Sequence, residues 1–367
     1  MEPRRAIERI DALVLATTGE RNAYARRCGA LALGELFTPD LVQLSAERCA
    51  CGFRDRPDTQ RFMRHLAQSS QALADKVVAG DFQPRYYRER EIWERGKPRD
   101  IRPPTFESKV VQKLLNDWVV RPLIEPRCVS TCYSSITGRG CARMHADVER
   151  ELNRRDGTGR AVLMTDFADY FASIDVDKLF ERLGRLITGE RVLGLMRAFS
   201  PQPLGLSLGN ELSQTPASWY PSPIDHWAKD RMRLPYYRYM DDTLTVCENA
   251  DEAAEIAHEY QSMAAALGLS LPDRKVRIVD YGQPFQWCKE RYRFNARTGR
   301  YYRLINPEIP ARERRKMHAM ARRVEAGEMD ARAAELQWRS VRGVISGHLN
   351  TAGVIARLDA EWASLFG

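Results

Sequence analysis

The sequence predicts an α/β (α+β) chain in which a small antiparallel sheet stands between helical ends. Three observations predict it. Apolar residues recur at helical spacing near the N-terminus, through Ile7, Ile10, Leu13 and Val14 and again through Phe62, Leu66, Leu73 and Val77. Short β-prone runs occupy the middle, Ala161 to Met164 and Tyr236 to Val246. From Pro310 to Phe366 the pattern is helical again, in three runs with turns near Gly327 and from Gly347 to Thr351.

Taken in order, residues 1–85 read as helices, divided by a loop around Cys51-Gly52-Phe53-Arg54 and Pro57. That segment carries no recognisable chemistry. From Tyr86 to Pro104 the pattern changes. Ile92-Trp93 and Gly96-Lys97-Pro98-Arg99-Asp100-Ile101-Arg102 form a basic hairpin with its turn at Gly96 to Pro98. A helix from about Ser108 to Ile124 follows and is broken by Pro126. Residues 161–174 begin as an apolar strand and turn into a helix. No internal repeat and no low-complexity segment appears.

The bulk composition narrows the function classes. Of 367 residues, 44% are hydrophobic and 29% charged, as in an ordinary globular protein with a sizeable core. No run of about eighteen apolar residues is present, which argues against a membrane span. Met1-Glu2-Pro3-Arg4-Arg5 leads into a charged helix and not an apolar signal core, so the expected location is cytoplasmic. A net charge of +8 points to a polyanionic partner, nucleic acid first, with a solvated basic surface as the plainer reading. The 8 cysteines include no CxxC pair, against a zinc ribbon or finger. Cys128, Cys132, Cys141 and His145 are numerous enough to share a metal, but reduced, buried thiols are the expectation for the first three.

The sharpest feature is Tyr239-Met240-Asp241-Asp242, with Leu234, Tyr236 and Tyr237 before it and Thr243, Leu244, Thr245 and Val246 after. Strands disfavour aspartate and a turn seldom needs two, so packing alone explains the pair poorly. Upstream, Val162-Leu163-Met164-Thr165-Asp166 is an apolar strand that ends in an acid. If the two strands are neighbours, three carboxylates meet. Magnesium takes hard oxygen ligands, one or two carboxylates plus substrate phosphates. Two such ions clamp the attacking and leaving oxygens of an in-line phosphoryl transfer. Asp166 and Asp241 are the expected shared ligands, with Asp242 beside them.

These residues resemble the reverse transcriptase family, whose motif A is similar to Asp166–Ile174 and motif C to Tyr239–Asp242. Between them Gly205-Leu206-Ser207-Leu208-Gly209-Asn210-Glu211-Leu212-Ser213-Gln214 resembles motif B. Leu267-Gly268-Leu269 through Lys275 resembles motif D, and Phe285-Gln286-Trp287-Cys288 the primer grip. The likeness covers roughly residues 85–300, and the order of the motifs is more specific than any one of them. It implies a right-hand polymerase: a helical N-terminal extension (1–85), fingers (86–160), a palm with part of the fingers (161–290) and a helical thumb (291–367).

The resemblance also assigns roles. Asp166, Asp241 and Asp242 would hold two Mg²⁺ ions, for which Mn²⁺ can substitute, and Lys275 would protonate the leaving pyrophosphate. Lys97, Arg99 and Arg102 would meet the deoxynucleoside triphosphate, which suits guanidinium chemistry. Phe167, Leu208 and Gly209 would line the same nucleotide site. Phe171, five residues after Asp166, falls at the steric gate that rejects a 2′-hydroxyl. Arg139, Gln214 and Trp287 would contact the nucleic acid. So would the basic helix carrying Arg312, Arg315 and Lys316, through phosphates and with salt sensitivity. Each of these has a plainer alternative, a solvated cation or a core ring.

Many family members have Gln-Gly and Ser-Pro in motif B, where this chain has Leu208-Gly209 and Ser213-Gln214. That variant resembles reverse transcriptases of diversity-generating retroelements, which copy a template RNA with frequent errors at adenines and usually work with an accessory protein. The N-terminal segment is long for that group, which makes antiphage-defence reverse transcriptases, with a non-coding RNA, the runner-up. No endonuclease or RNase H arrangement follows residue 300. The expected partners are an RNA template, the cDNA product and dNTPs. A non-catalytic RNA-binding scaffold on the same fold is the rival from another class, and the three acids argue against it.

Overall fold

A computed structural model describes residues 27–94, 97–154, 160–346 and 351–366; for Arg90 and residues 92–94 and 97–100 it describes the backbone alone. The apolar run Ile7 to Val14 lies outside the described residues. The chain divides into two compact units. One comprises the described residues up to Met144 with Thr165–Thr243 and Glu255–Val276; the other comprises His145–Met164, Leu244–Ala254 and Arg277 onward.

The first unit begins with helices that sequence signals delimit well. Pro39–Ala50 starts with proline in its first turn, and the Thr38 side chain accepts from Leu41 N at 3.4 Å. Pro57–Arg64 also opens on proline. Leu66–Ala79 stops at Gly80, whose φ of 91° suits the left-handed cap of a helix C-terminus. Val42, Leu44, Leu73 and Val77 are buried among them, with Val110, Val111 and Leu114 of the helix Phe106–Leu115. The helix expected from Ser108 to Ile124 is interrupted. A π-helical stretch, Asn116–Val120, separates Phe106–Leu115 from Arg121–Ile124. Such stretches cluster at functional sites.

The basic hairpin is present as β1 (Arg90–Glu94) and β2 (Lys97–Ile101), antiparallel. Its register sets Glu94 opposite Lys97 and Trp93 opposite Pro98. Pro98 therefore lies within the strand, not at the turn, a position open to proline on an edge. A second sheet has the order β4-β5-β3-β6, built from β3 (Ala161–Asp166), β4 (Tyr236–Tyr239), β5 (Asp242–Cys247) and β6 (Val276–Asp280). Ala161 to Thr165 are all buried, so this central strand reads as a continuous apolar run, and only Asp166 at its end is partly open.

In the second unit, β7 (Phe285–Trp287), β8 (Glu290–Asn295) and β9 (Arg300–Leu304) form an antiparallel sheet of 3 strands. Residues 290–304 carried no sequence expectation of strands. Helices Glu308–Glu325, Ala331–Ser346 and Ala352–Phe366 follow, close to the expected three. They share a small core of Met317, Trp338, Ile345 and Leu358. Among the described residues no helix is long and apolar enough to cross a membrane.

Candidate active site

The hairpin β4–β5 turns through Met240 and Asp241. Met240 takes φ of 56°, the left-handed conformation that tight hairpin turns use but that a bulky side chain rarely adopts. Its cost has a visible offset. The Arg238 guanidinium Nη1 donates to Met240 O at 2.8 Å, and Ser134 Oγ donates to Met240 Sδ at 3.9 Å.

Arg238 is fully buried, with its partner Asp225 also at 0% exposure. Its Nε donates to Asp225 Oδ1 at 2.7 Å, and its Nη2 to Asp225 Oδ2 at 2.5 Å and Ser218 O at 2.6 Å. Tyr236 Oη donates to the same Asp225 Oδ1 at 2.8 Å. Burial alone would push the guanidinium pKa down, but the adjoining Asp225 carboxylate outweighs it and raises it well above its usual value. A buried charge is tolerated only when paired and hydrogen-bonded, as here. The turn thus hangs from an ion pair inside the unit. Arg238 and Asp225 carry no expectation from the sequence, and Tyr236 only that of a β-prone strand; the one available signal is an arginine inside an aromatic strand.

The end of β3 lies against this turn. Thr165 Oγ1 and Thr243 Oγ1 share a hydrogen bond of 2.6 Å, and Phe167 N donates to Asp241 O at 3.4 Å. Asp166 is therefore a neighbour of Asp241 and Asp242, all three partly exposed. Lys275, in the short turn Asp273–Lys275 before β6, forms an ion pair with Asp166 Oδ2. Ala168 N donating to Ser270 O at 2.8 Å ties the two segments together. The donor set is all hard oxygen, which fits a divalent ion such as magnesium, and a cation already sits on Asp166 in the form of the Lys275 ammonium. Among the described residues no three His, Cys, Asp or Glu side chains converge tightly enough to hold a metal unaided. One or two carboxylates completed by substrate phosphates remain compatible with that spacing. The metal role weighed for Cys128, Cys132, Cys141 and His145 is not supported. Cys128 and Cys132 are buried, Cys141 is exposed, and His145 Nδ1 bonds Tyr292 Oη at 2.7 Å.

Beside the acids, Tyr170 is buried and its hydroxyl donates to Ala217 O. Phe167 is buried and stacks on Tyr170, whereas Phe171 is half-buried and meets Tyr170 edge-on at 5.8 Å. The motif B loop docks on this segment, Gly205 N donating to Ile174 O at 2.9 Å and Leu206 N to Phe171 O at 2.8 Å. Gly205 is required there: its φ is 88°, and a Cβ would meet Ala172 O at 3.3 Å. Leu208 is half-buried and Gly209 exposed, close in sequence to that contact. The following helix, Glu211–Trp219, is pinned by Gln112, which bonds Glu211 N at 2.9 Å and Asn210 Oδ1 at 3.1 Å.

Lys97 and Arg99 lie on β2 opposite Glu94 and Ile92. Arg102 is exposed, its guanidinium 4.8 Å from the Tyr86 ring. Arg139 and Gln214 line one cavity of about 340 Å³ together with Tyr239, Tyr133 and Asn116. The Arg139 Nη1 is committed to Val129 O at 2.6 Å and Cys132 O at 2.8 Å. Trp287 is buried, edge-on to His145, with no hydrogen-bond partner on Nε1. Arg312 and Lys316 both pair with Glu313, at 2.8 and 3.1 Å, while Arg315 is exposed.

Residues 89–301 match the family model described as reverse transcriptase (RNA-dependent DNA polymerase). No curated protein matches. Among solved structures that match is a telomerase from Candida albicans in complex with a TWJ fragment of telomeric RNA, 12% identical, with a TM-score of 0.42 over 60% of this chain. The chain spans 47% of that telomerase chain. With more than half its length matched, with ordered motifs and with acids at the strand end and hairpin turn, this chain belongs to the reverse transcriptase (RNA-dependent DNA polymerase) family.

Proposed function

We propose that the protein is an RNA-directed DNA polymerase that makes cDNA by two-metal nucleotidyl transfer. The single observation that carries this reading is the meeting of Asp166, at the end of β3, with the Asp241-Asp242 turn. Asp166 and Asp241, with Asp242 beside them, would hold Mg²⁺, which supplies charge neutralisation at the attacking and leaving oxygens. The chain's own groups do the rest. Arg238 and Asp225 hold the turn rigid, so the carboxylates need no rearrangement during reaction. Lys275 neutralises Asp166 before substrate arrives and would give a proton to departing pyrophosphate. Phe171 would exclude a 2′-hydroxyl, and Lys97, Arg99 and Arg102 would bind the triphosphate. Residues 86–160 act as fingers, 161–290 as palm and 291–367 as thumb, the last holding duplex through Arg315 and its neighbours.

The finer assignment is to the diversity-generating type, acting with an RNA template and an accessory protein. Leu208 and Gln214 favour it: leucine offers the incoming base shape without directional bonds, so a mispair forfeits less. Antiphage defence is the second reading, favoured by the long N-terminal segment. Primer extension on a defined RNA template with Mg²⁺ and dNTPs tests the activity, and sequencing of the products tests the type. Absence of extension by folded protein would leave the RNA-binding scaffold; errors without enrichment at template adenines would remove the diversity-generating assignment.

A further inference from the structure

The helix Glu211–Trp219 is followed, after Tyr220, by a proline. In an α-helix the carbonyl of Ala217 would accept from the backbone N–H of residue 221, and Pro221 has none. Ala217 is 0% exposed, so bulk water does not supply the missing donor. Tyr220 N reaches Ala217 O only at 3.3 Å while it bonds Pro216 O at 2.9 Å. The donor comes from outside the helix: the Tyr170 hydroxyl, in the segment that follows Asp166, donates to Ala217 O. Asp169, just before it, takes φ of 46° and turns the chain sharply from β3 into the short helix Tyr170–Ser173. Consecutive helical residues point about 100° apart. Tyr170 is accordingly buried, at 3% exposure, while its neighbour Phe171 is half-buried. The Tyr170 ring stacks on Phe167 with centroids 5.7 Å apart, and Phe171 meets it edge-on, at 84°.

The Tyr170 ring is therefore braced at its hydroxyl by the motif B helix and on its face by Phe167, and Phe171 rests against it. We propose that Tyr170 is a positioning residue for sugar selection: its bond to Ala217 O fixes the ring that sets how far Phe171 reaches toward the 2′ position of the incoming nucleotide. The inference rests on the reading of Phe171 as the gate. A ribonucleotide differs from a deoxynucleotide there by one oxygen, so rejection depends steeply on distance, and a displacement of about 1 Å is enough to weaken it. The Phe171 backbone is held separately, its O accepting from Leu206 N at 2.8 Å. Loss of the Tyr170 hydroxyl would thus shift the rings and leave the chain in place. In this scheme Tyr170 does not touch the substrate and acts only through Phe171.

The test is competition between ribo- and deoxynucleoside triphosphates during primer extension by the full chain on a defined RNA template. Tyr170→Phe keeps the ring and removes the hydroxyl. It should raise ribonucleotide over deoxynucleotide incorporation about fivefold, with base misincorporation among deoxynucleotides at the wild-type level. A packing role lowers both incorporations together, so an unchanged ratio overturns the proposal; an equal rise in base errors, which would mean general loosening, overturns it too. Within Phe171→Ala, adding Tyr170→Phe should change the ratio no further, and a second change of the same size would show a route that bypasses Phe171 and sink the idea. If Tyr170→Phe melts early, adding Pro221→Ala gives Ala217 O a donor from within the helix and should restore stability without restoring the ratio. A ratio that returns to wild type would mean that the hydroxyl merely satisfies a buried carbonyl, against the proposal. Tyr220→Phe removes another buried hydroxyl, which donates to Leu267 O, and should leave the ratio unchanged. A shift there as large as in Tyr170→Phe would deny Tyr170 its particular role. Folded wild type that does not extend the primer overturns the polymerase reading, a wild-type ratio in Phe171→Ala overturns the gate, and either takes this inference with it. A shifted ratio in Phe171→Ala beside an unchanged one in Tyr170→Phe overturns this inference alone.

Discussion

The hairpin turn Tyr239–Asp242 and the three C-terminal helices are both rich in charge, yet they use it in opposite ways. Around the turn, Arg238 and Asp225 lie at 0% exposure and spend their hydrogen bonds on each other, on Met240 O, Ser218 O and Tyr236. In the helices the cations are at the surface: Arg314 is 59% exposed and Lys316 57%, and they pair with Glu361 and with the buried Glu313. Buried pairs are costly to form and more costly to break, so they fix one geometry. Exposed pairs contribute little and leave side chains free to exchange a glutamate for a phosphate. On the proposed reading, a turn that presents carboxylates in one arrangement and helices that follow a nucleic-acid backbone would call for those two solutions.

The comparison predicts a graded set of outcomes. Asp241→Asn, which alters the turn's chemistry and not its support, should lower nucleotide addition by about a hundredfold or more with an unchanged melting curve. Extension above a tenth of wild type would deny Asp241 its role. Arg238→Met should cost about 3–5 kcal/mol in a denaturant titration, because Asp225 is left buried and unpaired. It should also slow extension at temperatures where the variant is folded, and Arg238→Lys, which keeps charge without the fork, should recover only part of both. If Arg238→Met is as stable as wild type, the contrast between the two regions fails.

Phe171→Ala should raise ribonucleotide over deoxynucleotide incorporation by roughly tenfold, read from competing incorporation by one enzyme. An unchanged ratio makes the ring a packing residue against Tyr170. The smallest effect belongs to the helices. Arg314 and His318 hold the Glu361 carboxyl below its ordinary value of 4.5 by hydrogen bonds to its charged form. A depressed carboxylate stabilises the fold above its unfolded value and loses that contribution as pH falls through the lowered one. Glu361→Gln should therefore leave the neutral-pH melting temperature almost unchanged and slightly reduce sensitivity to acid below about pH 4.5. A large drop at neutral pH would mean that these surface pairs support the fold after all.

Much of the candidate site is legible in the sequence. Asp166 at a strand end and Asp241-Asp242 at a hairpin turn are local patterns, set by period and by turn conformation. The structure brings the acids together as neighbouring strands require. The helices from Glu308 onward were legible for the same reason, each bounded by its own breakers. Trp287 illustrates the opposite case. Its motif suggested contact with nucleic acid, whereas the ring is buried against His145. The short strands between residues 290 and 304 were missed because arginines on one face hide the alternation of Tyr292 and Phe294 on the other.

By itself, then, the sequence determined the family, the mixed α/β class, the order of the motifs and the identity of the acids, since each is written in residues close along the chain. Only the tertiary structure decided what supports those acids. That Arg238 is buried, that its partner is Asp225 and that both hold the carbonyl of Met240 are facts of packing between separate elements. Arginine in a strand has the same local signature whether it faces water or a carboxylate. Its electrostatic consequence depends on the dielectric and the partner that the folded chain puts around it.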